Sequence, residues 1–214
     1  MKFSPVLIAL LVLPLSAFAQ KPTPTPAFKM PVEDIFSISG RGTVATGKIE
    51  RGSLKVGDTV EIVGIKETRS TTVVAIEMFR KLVDEAKAGD TVGVMLRGIE
   101  ATDVERGQVL AKPGSINAYT TFRAKIDMVP AAEGGRKTPF TSGSRPQVMI
   151  GTGSFSGTMT LAGGRSKAVA GDKAIEIQIE LTQPAAIETG TSITLRDYGK
   201  TVAAGVVIAV IPPK

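Results

Sequence analysis

The 214 residues contain no cysteine, no histidine and no tryptophan. Without cysteine or histidine there is no ordinary zinc, haem or iron–sulfur site, and no Ser–His or Cys–His nucleophile can be assembled. Disulfides are impossible too, so cysteine usage says nothing about redox compartment. Asparagine occurs once, as Asn117 in "INAY", which rules out the Asn-Lys-x-Asp element that reads guanine in GTPases. Aromatic residues are only 5% of the chain, and no segment holds apolar residues at i, i+3, i+4 over several turns, so long amphipathic helices are not expected.

Glycine (23) and proline (13) are plentiful, and hydrophobic residues reach 43%. That mixture supports a core and favours short strands joined by tight turns. The net charge of +6 suits a polyanion such as RNA or an anionic envelope surface, and equally serves plain solubility.

The chain opens with "MKFSPVLIALLVLPLSAFAQ". One early charge, Lys2, precedes an apolar run from Val6 to Leu13; Pro14 breaks it, and Ala17-Phe18-Ala19 offers the small–x–small pattern of a cleavage site. The run is short for a permanent membrane span. Residues 1–19 therefore read as a secretory signal peptide cut after Ala19, with an uncleaved membrane anchor as the alternative. The expected destination is the periplasm or the exterior. Residues 20–27, rich in Pro and Thr, read as an extended linker. A folded part is expected from Phe28.

Beyond it, alternating runs such as "TVATGKIE", "TVEIVGI" and "TVGVMLRG" are separated by turn residues about every ten positions. This spacing predicts a small closed barrel, residues 28–116, with Pro113-Gly114 near its end, and a second strand series over residues 117–214. The fold class is all-β, two antiparallel barrels in tandem. "VGDTVEIV" (56–63), "AGDTVGVM" (88–95) and "AGDKAIEI" (170–177) share a Gly-Asp ahead of a strand. Gly permits the positive φ of a tight turn, and Asp can bond the backbone there, so these echoes mark repeated turn chemistry.

Gly42, Gly47 and Lys48 in "GRGTVATGKIE" imitate the P-loop G-x-x-x-x-G-K. A P-loop needs a hydroxyl next and then a helix facing the phosphates. Here Ile49 follows, and Arg51-Gly52 leaves no room for a helix. "TVATGKIE" alternates as a strand, with Gly47 at a bulge or close approach and Lys48 toward solvent. Asp90 and Gly93 in "DTVG" also fit D-x-x-G, a four-residue pattern with two fixed positions. No nucleotide machinery, metal, cofactor or catalysis is expected.

"PVEDIFSISGRGTVATGKIERGSLKVGDTVEIVGIKET", "IEMFRKLVDEAKAGDTVGVMLRGI" and "ERGQVLAKPGSI" closely resemble the second domain of bacterial elongation factor Tu; "EGGRKTPFTSGSRPQ" and "GKTVAAGVVIAVI" resemble its third. The resemblance runs from Phe28 to Ile211. It implies two packed β-barrels without the family's GTPase domain; the alternative reading, a translation factor binding aminoacyl-tRNA, is compatible with that domain coming from another chain. By the same resemblance the first barrel holds the aminoacylated 3′ end of tRNA, using Glu33, Asp34, Phe36, Thr46, Glu77, Phe79 and Thr91, the last standing where the family usually has Asn. The third-domain surface would offer Arg136, Lys137, Arg145, Arg196 and Lys200. Lys137 stands where the family usually has His, and Tyr198 where it has Gly. The implied partners are aminoacyl-tRNA or another RNA, or a protein or envelope ligand, with no DNA and no GTP by itself.

Overall fold

The computed structural model describes residues 26–38 and 42–213. The expected signal peptide, and the linker as far as residue 25, lie outside the described residues. Phe28 is already buried.

The first unit contains β1 (Lys29–Pro31), β2 (Asp34–Ile38), β3 (Gly42–Lys48), β4 (Ser53–Lys55), β5 (Thr59–Gly64), β6 (Lys66–Met78), β7 (Lys81–Val83), β8 (Glu85–Lys87), β9 (Thr91–Leu96) and β10 (Val109–Ala111). Its main sheet runs β1-β10-β5-β6-β9-β3-β2, with β7 as a short flap on β6 and β4–β8 as a separate ribbon. All pairs are antiparallel. The sheet curls around Met30, Val32, Ala45, Ile62, Ile76, Val94 and Leu110, all buried. It is a half-barrel, not the continuous closed ladder that turn spacing predicts. Its two end strands, β1 and β2, are joined by the chain itself at Val32-Glu33: Val32 N–H donates to Gln108 O (2.9 Å), prolonging the β1–β10 pair, and Glu33 N–H to Thr46 O (2.8 Å), prolonging the β2–β3 pair. Among the described residues no ladder forms between β1 and β2 themselves.

The second unit contains β11 (Ala118–Met128), β12 (Gln147–Ile150), β13 (Gly153–Leu161), β14 (Ile175–Ala186), β15 (Ser192–Asp197) and β16 (Lys200–Ile211). These close in the order β11-β14-β13-β12-β15-β16. Alternation is clean: Ile175, Ile177, Ile179 and Leu181 are buried while Glu176, Gln178 and Glu180 are exposed. The inward residues, with Phe122, Ile126, Phe140 and Met159, fill the barrel.

The Gly-Asp echoes are one device used three times. Asp58, Asp90 and Asp172 each accept a bond from the backbone N–H three residues earlier, at 2.8, 2.9 and 3.0 Å. The preceding Gly57, Gly89 and Gly171 all have φ near +90°, a conformation that excludes most side chains.

The P-loop imitation is strand β3. Lys48 is exposed. Gly47 pairs with Val92 in the unbroken register of β3 with β9, and a Cβ there would lie 2.2 Å from Pro31 O. It is a close-approach glycine, and no bulge is present.

The barrels meet at a tight seam. Val63, Val109, Ala111, Ile116 and Ala186 form a small shared core. Gly107, at φ +98°, faces Gly153 so closely that a Cβ would lie 2.6 Å from the Gly153 Cα. Thr152 Oγ1 donates to Val32 O (2.6 Å), and Ile65 N–H to Pro184 O (2.6 Å). At the rim, the Arg51 guanidinium donates to both Glu188 carboxylate oxygens, at 2.7 and 3.0 Å, and Lys29 Nζ reaches the same carboxylate at 3.4 Å.

Candidate ligand pocket

Strands β2, β3, β9 and β6 lie side by side, and alternation presents one row of their side chains outward. Phe36 pairs with Val44, Val44 with Met95, and Met95 with Ala75. One step along, Thr46 and Glu77 both oppose Gly93. The intervening residues Ala45, Val94 and Ile76 point into the core. The outward rows floor an open cavity of about 380 Å³, within the size range of small-ligand sites.

Phe36 and Ile38 of β2 stand on one side; Phe79 and Leu82 of the β6–β7 hairpin stand on the other. Gly93 keeps the floor low, since a Cβ there would press on Val44 Cγ1 at 3.1 Å. The hairpin tip is unusual. Met78 pairs with Lys81, which leaves a two-residue turn, Phe79-Arg80, with φ of +50° and +62°. Such turns prefer Asn-Gly, and non-glycine residues held there carry backbone strain of the kind that collects at binding sites. The Phe79 side chain is 87% exposed.

Five of the seven residues expected from the family resemblance line this cavity: Phe36, Thr46, Glu77, Phe79 and Thr91. Glu33 and Asp34 do not. The Glu33 N–H prolongs the β2–β3 pair, its carbonyl accepts from Arg106 (3.1 Å), and the Asp34 carboxylate lies 3.8 Å from the Arg106 guanidinium. Thr46 Oγ1 donates to Asp34 O (3.2 Å), so that hydroxyl is partly engaged. Ile38, Leu82 and Met95 line the cavity and were not expected. The i, i+2 pairing of Phe36 with Ile38 carries the signal for the first. The other two depend on which strands become neighbours.

A larger cavity of about 620 Å³ lies at the seam and contains none of the expected residues. Its charges are already satisfied: Lys29 also pairs with Glu50 at 3.0 Å, and Glu188 is held by Arg51 and Lys29. Desolvation pushes the Glu188 carboxyl up, but the hydrogen bonds from Arg51 and the two nearby positive charges win, leaving it below the usual range.

On the second barrel the expected basic residues divide. Lys137, Arg145 and Lys200 are exposed. Arg136 pairs with Asp197 at 2.5 Å and stacks 4.3 Å from the Phe140 ring centroid. Arg196 donates to Gly199 O (2.6 Å), and its Nε is buried without a partner. These two cations are committed within the fold. Tyr198 stands at the β15–β16 hairpin tip with φ +45° and is 98% exposed.

A half-barrel joined to a closed barrel, with an open cavity on the outer face of the first, defines a tandem antiparallel β-barrel protein. The comparison with protein families sharpens this class. The family described as elongation factor Tu domain 2 matches residues 42–111, and that described as elongation factor Tu C-terminal domain matches residues 115–211. The chain belongs to the elongation factor Tu family through these two barrel domains.

Proposed function

We propose that this chain is a non-catalytic binding module of the elongation factor Tu barrel type, exported by its N-terminal segment, and that it holds a ligand in the cavity between β2 and the β6–β7 hairpin. One observation carries the binding part. Two exposed phenylalanines, Phe36 and Phe79, face each other across an open apolar cavity on a half-barrel, and exposed apolar surface of this kind marks interaction sites. Both matched families are barrel domains, and this reading gives the chain no GTP turnover of its own. Export rests on "MKFSPVLIALLVLPLSAFAQ" alone.

Cell fractionation with N-terminal sequencing of the mature chain tests export. The expected result is a periplasmic or secreted protein beginning at Gln20. A cytosolic chain that retains residues 1–19 overturns it. Ligand binding is tested by titrating the purified protein with candidate ligands while following amide signals of β2 and β6–β7.

A second reading is that the cavity takes an aminoacylated RNA end, as the family resemblance implies. The meeting of Phe36, Thr46, Glu77, Phe79 and Thr91 around one cavity favours it. A gel shift comparing aminoacylated with deacylated RNA decides: equal affinity for the two ends this reading.

A further inference from the structure

Strand β2 pairs only with β3 and ends the path of the main sheet. The loop after β9 touches β2, through Arg106 on Asp34 and the Glu33 carbonyl and through the short 3-10 turn Ala101–Asp103. Among the described residues no strand pairs with the outer edge of Ile35–Ile38. In an antiparallel pair, alternate N–H and C=O groups of an edge strand point away from its neighbour, so this edge can accept one more strand. Phe36 and Ile38, two residues apart, stand on the cavity side of the same edge. A strand laid beside β2 would place its own alternate side chains, about 6.5–7 Å apart, along that wall.

The charge of the cavity narrows the occupant. Among its lining residues Glu77 is the one that carries a charge, and it is exposed. Among the described residues no cation lines the cavity to receive a phosphate, and a polyanion gains most of its affinity from such contacts. A carboxylate beside apolar walls suits an apolar side chain with a cation next to it.

We propose that the free edge of β2 and the adjoining cavity form a docking site for an extended peptide segment of a partner protein, in which apolar side chains alternate and a lysine or arginine lies beside them to meet Glu77. The main chain pairs with Ile35–Ile38, the apolar side chains enter between Phe36 and Phe79, and the cation sits at Glu77. The backbone supplies affinity and the cavity supplies selectivity. This inference rests on the reading of the cavity as a binding site.

The test uses the purified mature chain and a fluorescent hexapeptide, Lys-Thr-Phe-Thr-Phe-Lys, with blocked ends. Four comparison probes accompany it: the same peptide with glutamates replacing the lysines, two forms N-methylated at alternate positions, one in each register, and a short aminoacylated RNA hairpin. The lysine peptide is expected to bind, with the glutamate form and the one N-methylated form whose methyl groups face β2 at least about tenfold weaker, which corresponds to roughly 1.4 kcal/mol. Phe36→Ala is expected to lose about the same factor, with its fold checked by circular dichroism. Glu77→Lys is expected to reverse the preference toward the glutamate peptide, a result that a merely unfolded variant does not give. Undiminished binding of both N-methylated forms overturns edge pairing. Binding of the RNA without the peptide overturns the peptide assignment and leaves the cavity as a site; if neither binds, both readings fall.

Discussion

The two barrels solve the same problem differently. The second closes all six strands into a continuous ladder and pairs every edge. Its large exposed apolar side chains, Tyr198, Val169 and Val206, are few. The first leaves β2 as an edge and gathers Phe36, Ile38, Phe79 and Leu82 around one cavity. A closed barrel has no unpaired backbone to offer, whereas a half-barrel keeps an edge and an open face at some cost in cooperativity. On the function proposed above, the closed unit serves stability and the open one recognition.

That contrast can be broken by mutation, beginning with the core. Phe122 is fully buried in the closed barrel, and Phe122→Ala is expected to cost about 3–5 kcal/mol by cavity formation. Phe36→Ala, at a 55% exposed site, is expected to cost less than about 1 kcal/mol. Denaturant unfolding measures both, and similar losses would erase the distinction between the units.

The seam comes next. Gly107→Ala puts a Cβ at positive φ and against Gly153, with an expected cost of about 2 kcal/mol or more. Calorimetry is expected to show one transition becoming two as the barrels uncouple. A single transition at an unchanged temperature would mean that the seam yields easily.

Glu188→Gln is expected to cost about 1 kcal/mol, since the clamp is only partly buried. Its pH dependence has a definite sign. The folded carboxyl titrates below its ordinary range, so its contribution is full above that range and is lost as pH falls through the depressed value. The gap in Tm between wild type and Glu188→Gln is expected to be constant near neutrality and to shrink in acid. A gap that widens in acid contradicts the ion pair.

The smallest effect distinguishes the hairpin tips. Arg80→Gly relieves one left-handed residue and is expected to change stability by no more than about 1 kcal/mol, in the favourable direction. Tyr198→Asn is expected to act likewise on the second barrel. Peptide binding should respond to Arg80→Gly, through the neighbouring Phe79, and not to Tyr198→Asn.

Much of this architecture was legible in sequence. Period-two alternation identified the strands, and the Gly-Asp echoes marked turns whose side-chain bonds are now visible at Asp58, Asp90 and Asp172. The P-loop imitation was rejected on Ile49 and the missing helix, and β3 agrees. Closure of the first barrel was overestimated, because turn spacing counts strands without revealing whether the first and last can pair over several residues. The resemblance implies Glu33 and Asp34 in the pocket, but neither lines the cavity: Arg106 takes the Glu33 carbonyl and lies beside the Asp34 carboxylate. Ile38, Leu82 and Met95 escaped notice because strand adjacency is a non-local property. The commitment of Arg136 to Asp197, 61 residues away, was invisible for the same reason.

The clamp at Glu188 also has a consequence in time. Arg51 and Lys29 find their shared partner 137 and 159 residues downstream. During synthesis from the N-terminus, the start of the first barrel waits until four of the six strands of the second have been made before this contact can form. Interactions absent from the folding transition state govern the rate of opening more than the rate of folding. If the arginine–glutamate pair forms late, it acts as a latch whose main effect is on how long the two halves stay joined, and Glu188→Gln is then expected to speed unfolding more than it slows folding.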